Sequence, residues 1–349
     1  MINKQNWKMT RKYLDYRLQV DQVSPDSMEK EKTHLRYLLE WAQETSFSEV
    51  VTHRPTFPEF LLVHRLDGYQ GHLSAVYIKK ILSTVRMFFI WLSDNGYKNI
   101  KQAWVKTIKV KRLSDVPKNK EIVTLEEILA ISRAETLTRE ERRARASLVF
   151  LYLSGMRIGA FVSLPVRCVD ISNRLVDQFP SLGVRTKNGK HATTYLLDIP
   201  ELLHVVQSWH DEVVTTPPFC SYWFSFLSSE LLDFHPVGKF RSNLARRSFK
   251  AWLDRVGLLY HSPHKFRHGH IHYGLMRSKN VADFKAVSMN VMHSTIEITD
   301  QFYSVLHDDE VKNRIGLLGK NQPGARSQDE EIIDKLRRFL DLERQGKDK

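Results

Sequence analysis

Cysteine is nearly missing from this chain. Cys168 and Cys220 are the only two in 349 residues, and with no CxxC spacing they support neither a disulfide framework nor a zinc site. Long hydrophobic runs are missing too: none approaches the ~18 residues of a membrane-spanning helix. The opening MINKQNWKMTRKYL lacks the apolar core of a secretory signal. No internal repeat or low-complexity tract stands out. Acid is in deficit, with 40 Asp and Glu against 53 Lys and Arg, for a net charge of +13. So basic a balance favours a polyanionic partner, of which nucleic acid is the commonest.

What is present is mostly helical pattern. Ser24 and Pro25 have the character of an N-cap and first helical residue, and Leu35, Leu38, Leu39 and Ala42 then follow helical spacing. Ile78, Ile81, Leu82, Val85, Phe88, Phe89 and Leu92 share one broad face of a second helix that Asn95-Gly96 stops. Residues 98–120 carry seven Lys and one Arg against a single Asp and mark a basic connector. Beyond it, Thr124 with Glu127 and Thr138 with Glu141 form two capping boxes, the second opening a helix to about Leu153. Between Val169 and Ile199 the β-branched runs around Lys187-Asn-Gly-Lys190 predict a hairpin. The fold class expected is mainly α with a small β-sheet.

Three islands could carry chemistry. In LYLSGMRIGAFVSL an apolar helix ends at Ser154-Gly155, and Arg157 follows between Met156 and Ile158. An arginine there either snorkels to the surface or meets an anion. In HSPHKFRHGHIHYGL, His264 and Arg267 are three apart and share a helix face. Five histidines fall between His261 and His272, but there is no HExxH and no acid nearby in sequence, so no metal is expected. His270 and His272 are expected to pack or to face solvent. In HSTIEITDQFYSVL, His293 precedes Tyr303 by ten positions.

With Lys187 on the hairpin, these residues meet one need, the activation of a phosphodiester without a metal. Two arginines and one or two histidines can neutralise the charge that builds on the non-bridging oxygens. A tyrosine hydroxyl can attack phosphorus once helped to lose its proton, and a lysine can protonate the departing sugar oxygen.

The sequence resembles the tyrosine recombinases, the phage integrase, Xer and Cre family. SGMRIGAFVSL is similar to the family's first arginine box, HKFRH to its His-x-x-Arg box, and HSTIEITDQFY to the box that ends in the nucleophile. The resemblance implies catalytic roles for Arg157, His264, Arg267 and His293, with Tyr303 as nucleophile. The family's hairpin lysine falls on Lys187, with Lys190 as the alternative. YIKKILSTVRMFFIWLSDNGY is similar to part of the family's core-binding domain, so the likeness runs from about residue 10 to 310. Two departures stand out: Met292 replaces the glycine of a common Leu-Gly-His, and Gly269 stands where Thr is frequent.

The implied organisation is a helical core-binding, DNA-clamping domain over 1–110, a basic linker over 111–121, a catalytic domain over 122–320 and a tail over 321–349. Within that tail Ile332, Leu336 and Leu340 suggest an amphipathic helix, which either folds back or is exchanged between protomers. Double-stranded DNA is the expected partner, contacted by Lys106, Lys109, Lys111, Arg112, Arg241, Arg246 and Arg247. The resemblance further implies a dimer per site, a homotetramer on paired sites, no cofactor, no membrane and a cytoplasmic, nucleoid-associated location. A type IB topoisomerase-like nicking-resealing enzyme and a catalytically silent DNA-binding regulator are the alternatives. Phage integration, transposition and dimer resolution are not distinguished.

Overall fold

The computed structural model of the chain describes residues 1–97, 100, 102–109, 121–215, 222–225, 240–292 and 308–320. Two compact units divide between Asn119 and Lys120.

The first unit is helical: α1 (Lys4–Gln19), α2 (Pro25–Ala42), α3 (Phe57–Val63), α4 (Ala75–Asp94) and the single turn α5 (Gln102–Val105). Ser24 caps α2 by accepting from the Ser27 amide, and Ser74 caps α4 by accepting from the Tyr77 amide. Gly96, at φ 88°, ends α4. The apolar stripe read from residues 78–92 is buried along its length and clusters with Tyr13 of α1, Leu35 and Leu38 of α2, and Phe47 beyond α2. Phe47 and Phe88 meet edge to face with centroids 5.5 Å apart, a geometry that adds to area burial.

The second unit is built around α7 (Arg139–Ser154). From Ala146 to Ser154 every side chain of α7 is buried, as befits a helix enclosed on all sides. Packed against it are α6 (Leu125–Arg133), α9 (Pro200–Thr215), α10 (Arg241–Arg255) and α11 (Pro263–Arg277). Both capping boxes form. The Thr124 amide donates to Glu127 at 2.8 Å and the Glu127 amide to Thr124 Oγ1 at 3.2 Å, and Thr138 and Glu141 repeat the pattern. A short α8 (Ile158–Phe161) follows α7, while α12 (Val281–Asn290) and α13 (Asp308–Lys320) close the unit.

The sheet is a three-stranded antiparallel meander of β1 (Val169–Asp170), β2 (Leu175–Gln178) and β3 (Ala192–Tyr195). Its register pairs Val169 with Val176 and Val176 with Thr194. The expected hairpin is present: its strands are β2 and β3, and Lys187-Asn-Gly-Lys190 lies in the long connection between them. Pro180 and Gly183, at φ 97°, break the extended run after Gln178. Among the described residues no helix is long and apolar enough to cross a membrane.

Candidate active site

The site starts where α7 stops. Gly155 takes φ 62° and its amide still donates to the Leu151 carbonyl at 3.0 Å, so the helix ends in a left-handed cap. Only glycine fits: a Cβ there would sit 2.7 Å from the His270 ring and 2.8 Å from Val291. Two residues on, Arg157 is the N-cap of α8, half-buried and in extended backbone. Its desolvation by burial lowers the guanidinium pKa below the ordinary value.

The helix α11 brings the second arginine. Pro263 occupies its first position with Ser262 as N-cap, so His264 lies in the first turn and is exposed. Arg267, one turn deeper, is only 2% exposed. Its Nη1 donates to the Gly155 carbonyl at 2.6 Å and its Nη2 to the Val291 carbonyl. These bonds use two of five N–H donors. Burial, and then the charge of Arg157, pull the Arg267 pKa down to about 9.

Beneath Arg267 lies a wholly polar-satisfied tie. His270 is fully buried, donates from Nδ1 to the Tyr152 carbonyl at 2.9 Å, and accepts at Nε2 from Asn290 Nδ2 at 3.3 Å. Asn290 in turn pairs with the Tyr195 backbone, accepting its N–H at 2.7 Å and donating to its carbonyl at 3.0 Å. One asparagine therefore fastens the end of α12 to β3 beside Val291, whose carbonyl holds Arg267. Met292 follows at φ 54°, a left-handed conformation that favours glycine and explains why a glycine suits this turn.

The β2–β3 connection supplies Lys187, which is exposed and opens a short turn in which Asn188 has φ 60°. The connection is pinned at Arg185, whose amide donates to Ser163 Oγ at 2.8 Å. Ser163 is buried and its hydroxyl reaches the Gly159 and Ala160 carbonyls at 3.0 and 2.9 Å, so the loop is fastened to α8.

These elements enclose a cavity of about 490 Å³ lined by Arg157, Arg185, Lys187, Arg246 and His264, with Gly159 and Ala160 among its small residues. Among its described lining residues there is no Asp or Glu. Arg157, Lys187 and His264 thus meet, with Arg267 packed behind Arg157's turn. Lys190 is exposed and does not line the cavity. His293 and Tyr303 lie outside the described residues, as do Lys111 and Arg112.

Arg185 was missed by sequence reasoning, although its place two residues before Lys187 is a usable signal. Arg246 lines the cavity and Arg247 is exposed on α10. Arg241 is a correction. It is buried, its Nε donates to the Val162 carbonyl at 2.7 Å and its Nη2 to the Phe224 carbonyl, and its guanidinium stacks 4.8 Å over Tyr222. It holds α10 to the core. Lys106 and Lys109 are exposed in the first unit. Of the other histidines, His272 is exposed, and His261 meets Glu127 at 3.0 Å, an acid 134 positions away in sequence. No group of three or more His, Cys, Asp or Glu side chains that could hold a metal converges among the described residues.

The model of the phage integrase family matches residues 121–310, more than half of the chain and all of the elements that build this cavity. The chain belongs to the phage integrase family. It is thus a tyrosine recombinase by family, of the integrase kind that acts in DNA recombination. Among solved structures this integrase-family chain is similar in fold to the Tn1549 transposon integrase in complex with transposon right end DNA. The identity is 16%, over 90% of this chain and 98% of that one, with a TM-score of 0.59. It is also similar to a lambda integrase dimer bound to a COC' core site, at 12% identity over 86% of this chain and 98% of that one, with a TM-score of 0.51. No curated protein matches the sequence.

Proposed function

We propose that this integrase-family protein is a site-specific recombinase that cuts and rejoins duplex DNA through a 3'-phosphotyrosine intermediate, without a metal. The observation that carries the reading is the cavity, without Asp or Glu among its described lining residues, in which Arg157, Lys187 and His264 converge beside the buried Arg267. In this mechanism Tyr303 Oη, its proton released to solvent beside the cations, attacks the scissile phosphorus, and the bond to the 5' oxygen breaks. Arg157, Arg267 and His264, with His293, donate to the non-bridging oxygens as charge grows there. Lys187 gives its proton to the departing 5' oxygen, and the reverse attack by a 5' hydroxyl restores both the tyrosine and the DNA.

Residues 1–110 would clamp the duplex together with residues 122–320, and the basic segment 111–121 would run beside it with Lys106, Lys109, Lys111, Arg112 and Arg247 on phosphates. The assembly would be a dimer on one site and a tetramer on paired sites, with the 321–349 tail docked on a neighbour, in integration, excision or transposition of a mobile element. The test is adduct trapping on nicked duplex DNA. Wild type should give a slow-migrating covalent species on a denaturing gel, and Tyr303→Phe should give none while binding DNA with almost unchanged affinity. An adduct of normal yield from the Phe variant would place the nucleophile elsewhere. No adduct from wild type would leave a DNA-binding regulator, and nicking-resealing without Holliday-junction resolution on paired sites would leave a topoisomerase.

A further inference from the structure

We propose that Asn290 is a positioning residue of the cleavage reaction, setting the carbonyl that aims Arg267 at the scissile phosphate. This rests on the proposed recombinase reading and adds a residue to it. Arg267 is only 2% exposed, and the described hydrogen bonds of its side chain run to the backbone carbonyls of Gly155 and Val291. The orientation of the guanidinium, and of the N–H groups left for an anion, therefore follows whatever fixes those two carbonyls. For a donor to transition-state charge, direction decides strength.

Both carbonyls are reached by one tie. Asn290 is 1% exposed and immediately precedes Val291. Its own carbonyl accepts from Thr194 Oγ1 at 3.0 Å, and its Oδ1 accepts from the Tyr195 amide at 2.7 Å. Its Nδ2 donates to the Tyr195 carbonyl at 3.0 Å and to His270 Nε2 at 3.3 Å. With both amide protons and the acceptor engaged, the side chain has a single orientation. Only the Val291 dihedrals, φ −93° and ψ 8°, separate this fixed unit from the carbonyl that Arg267 meets. His270 reaches the other carbonyl's residue, for its ring lies where a Cβ on Gly155 would be 2.7 Å away. Burial pushes the His270 pKa down to about 4, so near neutral pH the ring carries one proton. The Tyr152 carbonyl, which can only accept, takes that proton at Nδ1 and leaves Nε2 to accept from Asn290. Polar groups buried this deeply are costly unless satisfied, and a fully satisfied network holds one geometry. An apolar pair could fill the same space without fixing a direction.

The test is a double-variant cycle of wild type, N290L, R267M and N290L/R267M in single-turnover cleavage of a nicked duplex bearing the mapped site. Asn290→Leu keeps the volume and removes the amide, and Arg267→Met keeps the stem and removes the charge. At saturating DNA, N290L should cleave about tenfold to a hundredfold more slowly than wild type, the scale for misplacing a catalytic group, while its affinity for the duplex changes by less than about threefold. In the R267M background the same replacement should cost less than about threefold, because the group it aims is gone. Equal costs in the two backgrounds would overturn the proposal, as would an N290L protein that cleaves at the wild-type rate. If N290L misfolds and loses binding to every duplex, Thr194→Val, which removes the hydroxyl bond to the Asn290 carbonyl, carries the same cycle. Its expected cost is about threefold to tenfold with Arg267 present, the scale of one hydrogen bond, and none without it. An equal cost in both backgrounds, or no cost in either, would again overturn the proposal. If wild type forms no adduct, the recombinase reading fails by itself, and the denaturation midpoints of the same proteins still decide the coupling. Additive shifts in those midpoints would show that Asn290 does not act on Arg267.

Discussion

Arg267 donates from Nη1 to the carbonyl oxygen of Gly155 at 2.6 Å, so the turn that launches Arg157 is held by the very side chain that Arg157 disfavours. Burial and the nearby Arg157 charge lower the Arg267 pKa to about 9. Two partly desolvated cations whose charges act on each other should cost stability that a bound anion would offset.

Replacing Arg157 by Met should therefore divide stability from activity. The stem's packing survives and the charge goes. The unfolding temperature without DNA should rise by about 2–4 °C, the shift expected for about 1 kcal/mol in a unit of this size. Cleavage should fall at least ~100-fold, the scale for losing one donor to transition-state charge. Calorimetry alongside single-turnover cleavage checks both, and a drop in unfolding temperature would show that the cation is already compensated.

Lys187 lines the cavity and Lys190 does not, so under the proposed mechanism the proton should come from Lys187. Lys187→Ala should slow cleavage of ordinary DNA but not of a substrate with sulfur at the bridging 5' position, because thiolate leaves without protonation. Lys190→Ala should cleave both at the wild-type rate. Sulfur rescue confined to the Lys190 variant would move the acid by three positions.

His270 should make the protein acid-sensitive. Burial pushes its pKa from 6.5 down to about 4, with the Arg267 charge acting in the same direction. The unfolded chain thus binds the proton more readily than the folded one. The contribution to stability is complete above pH 6.5 and shrinks as pH falls towards 4, by about 3 kcal/mol in all. Denaturant melts across pH 4–7 should show this slope. His270→Gln, which does not titrate, should flatten it, and an unchanged slope would mean that other groups set the acid limit.

Gly269 stands where the family often has Thr, and the structure gives the reason. A Cβ there would meet the Val123 carbonyl oxygen at 2.2 Å and the Tyr152 ring at 2.8 Å. Gly269→Thr should therefore destabilise by about 1–3 kcal/mol, as overpacking does, and should slow cleavage by shifting Arg267 two residues away. Chemical denaturation measures the first effect. A Thr variant as stable as wild type would show that the segment before α6 moves aside freely.

Met292 holds a left-handed backbone, φ 54°, without being glycine. Met292→Gly should relieve strain worth about 1–2 kcal/mol, offset in part by the greater freedom of glycine in the unfolded chain. Since His293 follows directly, the cleavage rate should rise or hold. A Gly variant that is less stable than wild type would mean the Met side chain contributes packing beyond the strain.

The helical texture of the chain was legible in its sequence because capping and burial are local. Ser24, Thr124 and Thr138 bond to amides within three or four positions, and the 78–92 stripe needs only a period near 3.6 to declare its buried face. The boxes around Arg157, His264 and Arg267 were legible for the same reason, each being a short contiguous run. Other features depended on contacts between segments distant in sequence. The length of the Lys187 connection was not legible, because β3 is also held by α12 through Thr194, Tyr195 and Asn290, contacts that the residues beside the turn do not encode. Arg241 looked like surface charge until the Val162 and Phe224 carbonyls, far away along the chain, closed around it. His270 reads in sequence as one of five similar histidines; only the packing of α7, α11 and α12 makes it a neutral tie. Local sequence thus determined where helices begin and which residues could do chemistry. The tertiary structure decided which cations face the cavity and which are buried, because desolvation and hydrogen-bond satisfaction are properties of neighbours in space.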